Sequence, residues 1–157
     1  MDDDIEDAPD GFQQLRAMLA GEMRAPMGEK LGFTLVEVER GHVVFEGRPD
    51  RSVYNPHGSV HGGYAATLLD SACGIAVHSQ LGANRGHTTL ELKVSYLRGL
   101  SERSGTVRAT GRTISVGRRV AFAEATLHDG EGRLCTTATS TLLVFDVEPR
   151  PGVFLRP

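Results

Sequence analysis

The chain has 157 residues, a length that fits one domain with a core of its own. Apolar residues make up 39% and charged residues 24%, the composition of an ordinary globular protein and not of a disordered one. A net charge of −3 speaks against a protein built around nucleic-acid phosphates, and no apolar run approaches the ~20 residues that a membrane-spanning helix needs.

The opening Met1-Asp2-Asp3-Asp4-Ile5-Glu6-Asp7 is acidic where a secretory signal would be basic and then apolar. Residues 1–9 therefore read as a disordered acidic leader, and the cytoplasm is the expected compartment. Cys73 and Cys135 lie far apart in apolar surroundings with no CxxC spacing, which predicts two buried free thiols.

From Gly11 to about Met23, Phe12, Leu15, Met18 and Leu19 recur at three- and four-residue steps and predict a short helix with one apolar stripe. Pro26 and Gly28 interrupt it, with room for a further turn before Gly32. Two β-rich runs follow, Phe33 to Arg40 and His42 to Gly47, joined at Gly41 as a hairpin. Asp50 to Ser59 has no periodicity and reads as a loop. Gly62 to about Gln80 is the one long central helix, with small or apolar side chains nearly all round, so it should be surrounded by protein. Four β-rich stretches come next, at about 88–98, 105–116, 119–129 and 133–147. Their short connections predict antiparallel pairing of adjacent strands. Residues 148–157 contain three prolines and read as an irregular tail. The expectation is an α+β domain over residues 10–147 whose antiparallel sheet wraps the central helix.

Three features meet at the entry to that helix. Asn55-Pro56-His57-Gly58-Ser59-Val60-His61-Gly62-Gly63 ends in two glycines, whose backbone N–H groups no side chain shields. The first N–H groups of a helix lack internal partners, and the helix dipole favours negative charge there, so they suit an oxygen that gains charge during a reaction. Asp70 is the one formally charged residue between Gly62 and Gln80. A carboxylate in so apolar a helix is costly unless paired or functional, and an apolar setting that strips water from it suits a nucleophile or general base. The third feature is Thr88-Thr89, where a hydroxyl could hold a water or Asp70 itself. Gly62 and Asp70 are separated by roughly 12 Å along one helix at 1.5 Å per residue, whereas a carbonyl must sit about 3 Å from its attacking atom. If both act on one carbonyl, two chains must share each site across a two-fold axis.

Asn55, His61-Gly62-Gly63, Asp70 and Thr89-Leu90-Glu91-Leu92 ahead of Val94-Ser95-Tyr96-Leu97-Arg98 resemble the hotdog-fold thioesterases of the phenylacetate-pathway type. Gly117-Arg118-Arg119-Val120 and Asp129-Gly130-Glu131-Gly132 are similar to that family's last two hairpins. The resemblance implies a sheet wrapped around one long helix, assembly into a homodimer or homotetramer, and metal-free hydrolysis of acyl- or aryl-coenzyme A with no cofactor beyond the substrate's own coenzyme A. It implies that the Gly62 amide polarises the thioester carbonyl, with Gly63 beside it. Asp70 of the partner chain then attacks, or activates water. By the same resemblance Asn55 orients the water or thioester, His61 holds the loop and Asn55, and Thr89 places the water, with Thr88 as the alternative one residue away. Coenzyme A carries phosphates, which arginine pairs well, so Gly117-Arg118-Arg119, Arg98 and Arg112 are candidates to bind it. Neither a nucleic acid nor a membrane is an expected partner.

Other readings have less to stand on. The histidines at 57, 61, 78 and 87 show no usual metal-ligand spacing. Ser59 lacks the strand that precedes a Gly-x-Ser-x-Gly elbow. A hotdog hydratase needs an acid/base pair of another pattern. A non-catalytic acyl-coenzyme A sensor would use the same pocket, since fold does not fix function.

Overall fold

A computed structural model describes residues 8–21 and 24–148. Most of the leader expected at 1–9 and of the tail expected at 148–157 lies outside the described residues. Helix α1 spans Gly11–Ala20 and begins at a reciprocal cap: Asp10 accepts from the Gln13 N–H, and the Gln13 side chain accepts from the Asp10 N–H. The turn before Gly32 is α2, Pro26–Leu31, which starts on proline and ends on Gly32 at φ 74°. Strands β1 (Phe33–Glu39) and β2 (His42–Gly47) form the expected hairpin. Helix α3 runs Gly62–His78. Strands β3 (Arg85–Tyr96), β4 (Val107–Val116), β5 (Val120–His128) and β6 (Leu134–Asp146) follow.

All six strands form one antiparallel sheet in the order β1-β2-β4-β5-β6-β3. One expectation is corrected here. Strand β3 does not pair with β4, its neighbour in sequence; it crosses to the far edge and pairs with β6 along its whole length. Residues 97–106, with a single tight turn at Glu102–Ser104, make that crossing. The hairpin β1-β2 instead joins β4, which closes the sheet around α3. The result is the hotdog fold.

The sheet can wrap the helix because its floor is small. Ala109, Gly111, Ala121, Ala123 and Ala125 line the strands beneath α3, and all are buried. Leu68, Leu69, Ala72, Cys73, Ala76 and Val77 press onto them and are fully enclosed. A Cβ built on Gly111 would lie 2.1 Å from the Ala72 carbonyl oxygen, a backbone atom that cannot swing aside. Gly111→Ala should therefore push α3 off the sheet and cost about 3 kcal/mol, the upper range for overpacking a core. Chemical denaturation measures this, and a loss under about 1 kcal/mol would show that the contact relaxes cheaply.

Both cysteines are buried and unpaired, as expected, and burial pushes the Cys73 thiol up to about 12. Among the described residues no helix is long and apolar enough to cross a membrane.

Candidate active site

The first turn of α3 opens with His61 as its cap. The His61 Nδ1 accepts from the Gly63 N–H at 2.8 Å, and the His61 carbonyl accepts from the Tyr64 N–H at 2.9 Å. Thr67 donates to the Gly63 carbonyl, and Tyr96 Oη donates to the Gly62 carbonyl at 2.6 Å. The Gly62 N–H has no acceptor among the described residues. Of the two glycines, Gly62 thus presents a free donor at the positive end of the helix, while the Gly63 N–H is engaged.

Asp70 lies two turns further on, about 12 Å along the axis. Thr89 Oγ1 donates to Asp70 Oδ1 at 2.8 Å and leaves Oδ2 without a protein partner among the described residues. The register of β3 explains why Thr89 and not Thr88 is used. Thr89 faces Leu142, a buried residue, and so points toward the helix; Thr88 pairs with Leu143 and points away. A shift in register between Thr89 and Glu91 follows at once, so the alternation is interrupted there. Thr88, the alternative one residue away, therefore does not face Asp70 within one chain.

Asp70 itself is only half-buried, as are Gly62, Ala66 and Thr67, and Gly63 is exposed. The expectation of a helix enclosed on all sides is corrected on this face: one chain leaves open the stripe that carries Gly63, Thr67 and Asp70. A cleft of about 170 Å³ lies at the Gly62 end, lined by Val60, His61, Gly62, Tyr96, Arg98 and Thr136 among others. It does not include Asp70. The Thr136 hydroxyl in its wall is buried and has no hydrogen-bond partner among the described residues. Ligand pockets usually run to about 300–1,000 Å³, so this cleft is too small to be a whole substrate site.

Asn55 holds its own loop. Its Oδ1 accepts from the His57 and Ser59 N–H groups, its Nδ2 faces Ser59 Oγ at 3.2 Å, and His61 contacts Gly63 instead of Asn55. Arg98 lines the cleft, but Arg112 is paired with Glu124 on the far face of the sheet. Gly117, Arg118 and Arg119 form the exposed turn between β4 and β5, where the Arg118 carbonyl accepts from the Arg85 guanidinium. Arg85 begins β3 and Tyr96 ends it, so within one chain that turn is about 36 Å of extended strand from the cleft. Sequence reasoning missed Tyr96 and Thr136. A tyrosine near the end of an apolar strand carries no mark of chemistry until the fold sets it against Gly62.

One turn beyond Asp70, His87 sits over Gly74, and its ring centroid lies 5.6 Å from that of buried His78. Burial pushes His78 down to about 4 and holds His87 below the usual histidine range, so both rings are neutral near pH 7. No group of three His, Cys, Asp or Glu residues is placed to hold a metal among the described residues.

The thioesterase superfamily model matches residues 57–136, just over half of the chain and the stretch that holds Gly62, Asp70 and Thr89. The chain belongs to the thioesterase superfamily. As a member of that superfamily it is a thioester hydrolase. A 1,4-dihydroxy-2-naphthoyl-CoA hydrolase of Listeria monocytogenes is 27% identical over 116 residues, covering 74% of this chain and 93% of that one. A thioesterase family protein of Silicibacter pomeroyi superposes with a TM-score of 0.76 at 29% identity, covering 87% of this chain and 98% of that one. The smu.793 protein of Streptococcus mutans, solved bound to acetyl-CoA, gives a TM-score of 0.69 at 26% identity over 82% of this thioesterase and 97% of that chain.

Proposed function

We propose that this thioesterase hydrolyses acyl- or aryl-coenzyme A at sites shared between two copies of the chain. The observation that carries this reading is the separation of Gly62 and Asp70 along α3, each with one free group. The Gly62 N–H is a ready donor for a thioester carbonyl, and Asp70 Oδ2 is a ready base or nucleophile once Thr89 has fixed Oδ1. The relative that hydrolyses a naphthoyl-CoA and the neighbour that binds acetyl-CoA support coenzyme A as the carrier.

The uncovered edge of the sheet supports the pairing. Helices α1 and α2 pack against β1 at one edge. At the other edge β3, of twelve residues, has a neighbour on one side only among the described residues. Leu90, Tyr96 and Leu97 stand 58%, 55% and 60% exposed along and just beyond it. A long unpaired edge with exposed apolar side chains along it is a template for another strand. Helix α3 runs antiparallel to β3, with Gly62 beside Tyr96, Asp70 beside Thr89 and Gly74 beside His87. For Gly62 of one chain to meet Asp70 of the other, the two β3 strands must pair antiparallel about an axis near Leu92–Lys93. That pairing brings the start of the partner's β3, and with it the 117–119 turn, toward this chain's Gly99 and Arg98. The distant arginines then come to the cleft from the second chain, where coenzyme A phosphates would meet them.

In the reaction the thioester carbonyl accepts from Gly62 N–H. Asp70 of the partner either attacks the carbonyl carbon or takes a proton from the water that does. Negative charge gathers on the carbonyl oxygen, and the C–S bond breaks to release the coenzyme A thiolate, which takes up a proton. With water as the attacking group the other product is the acid; with Asp70 as the attacking group it is an acyl-Asp70 anhydride, which water then hydrolyses to the acid and the free carboxylate. The test is thiol release from a panel of phenylacetyl, hydroxybenzoyl and medium-chain acyl-CoA thioesters. Turnover of any of them supports the reading. Tight binding with no turnover across the panel would make the protein an acyl-coenzyme A binding module instead.

A further inference from the structure

We infer that Tyr96 is a positioning residue that fixes the Gly62 N–H for catalysis; this rests on the reading of Gly62 as the carbonyl-binding donor. Glycine at the start of a helix is the least restrained residue at the least restrained place. It has no Cβ to limit its backbone, and the first N–H groups make no helical bond. A donor that must meet a developing oxyanion needs the opposite property, a fixed position before the reaction begins.

Two side chains from outside the helix supply it. Tyr96 Oη donates to the Gly62 carbonyl at 2.6 Å, and His61 Nδ1 accepts from the Gly63 N–H at 2.8 Å. These are the two ends of one peptide unit, so the plane between Gly62 and Gly63 is gripped at its oxygen and at its nitrogen. With that plane held, the Gly62 Cα is held, and the preceding plane, which carries the Gly62 N–H, is itself held at its oxygen by the Tyr64 N–H on the His61 carbonyl. The tyrosine ring adds contact to the hydrogen bond. A Cβ on Gly62 would lie 3.0 Å from both Cζ and Oη of Tyr96, so the ring occupies the space that any side chain at Gly62 would need. Tyr96 ends β3 opposite Thr136, while His61 comes from the loop that leads into α3, so sheet and loop set the helix start together.

The test is Tyr96→Phe, which keeps the ring and removes only the hydroxyl. The kcat for an acyl-CoA turned over by the wild type should fall about 10- to 100-fold, less than the loss of a whole oxyanion donor, with KM changed by less than about twofold. Incorporation of 3-fluorotyrosine at 96, which retains a donor hydroxyl, should restore kcat to within about threefold of wild type. Amide hydrogen exchange is a second measure that needs no turnover: Gly63 should exchange at least about 10-fold faster in Tyr96→Phe, with the later turns of α3 unchanged. A kcat within about twofold of wild type would overturn the inference even though the wild type is an active thioesterase. Should the wild type hydrolyse no thioester, the reading of Gly62 fails by itself, and unchanged Gly63 exchange in Tyr96→Phe would separately show that Tyr96 fixes nothing.

Discussion

Asp70→Asn is expected to lower kcat for acyl-CoA hydrolysis by about 10²- to 10³-fold, with KM and melting temperature close to wild type. The substitution keeps the shape of the side chain and an oxygen that can still accept from Thr89 Oγ1. It removes the charge and the basic lone pair that attack on a thioester requires. Stability should hold because Asp70 is half-buried, bonded to one hydroxyl, and appears in no ion pair among the described residues. A structural carboxylate would behave in the reverse way, with a lower melting temperature and nearly normal turnover per folded molecule. Equal rates in the two proteins would remove Asp70 from the mechanism.

Gly62→Ala is expected to be nearly as damaging, with kcat lower by about 10²-fold. Gly62 does not have the positive φ found at Gly32 or Gly58, so alanine is conformationally acceptable at this helix start. The harm comes from space. The new methyl group meets the Tyr96 ring at 3.0 Å, and either the ring withdraws from the Gly62 carbonyl or the peptide turns. Both movements shift the N–H from where a carbonyl oxygen would meet it. A shift of a few tenths of an ångström at such a donor matters far more to rate than to stability. Circular dichroism and melting should therefore look like wild type while turnover does not. Undiminished kcat in Gly62→Ala would mean that another donor holds the carbonyl.

Much of this was legible in the residues alone, and the reasons differ by residue. Gly62, Asp70 and Thr89 stood out because their residue types are costly or unusual where they occur: paired glycines at a helix start, one charge in an apolar helix, a hydroxyl entering the next strand. The hairpin of β1 and β2 and the extent of α3 followed from periodicity and glycine punctuation. The neighbour of β3 did not, because which strands pair across a crossing connection depends on how the sheet closes, and nothing local to residues 85–96 says so. The choice between Thr88 and Thr89 is a question of strand parity, which needed the register with β6. The role of Asn55 in orienting the water or the thioester comes from the resemblance alone, and within one chain its Oδ1 accepts from two N–H groups of its own turn. Arg118 and Arg119 are candidates from the chemistry of phosphate binding alone, and one chain puts them at the end of β3 away from the cleft, which no local feature of residues 117–119 reveals.

The proposed sharing of each site between two chains can be tested with the same two variants. Asp70→Asn and Gly62→Ala proteins, each nearly inert, are mixed in equal amounts, dissociated and allowed to reassociate. A mixed pair has one site built from an intact Gly62 and an intact Asp70, and one site that lacks both. With half of the pairs mixed and half of their sites intact, about a quarter of wild-type activity should return. A mixture no more active than its two parents would place each site within one chain and contradict the shared mechanism.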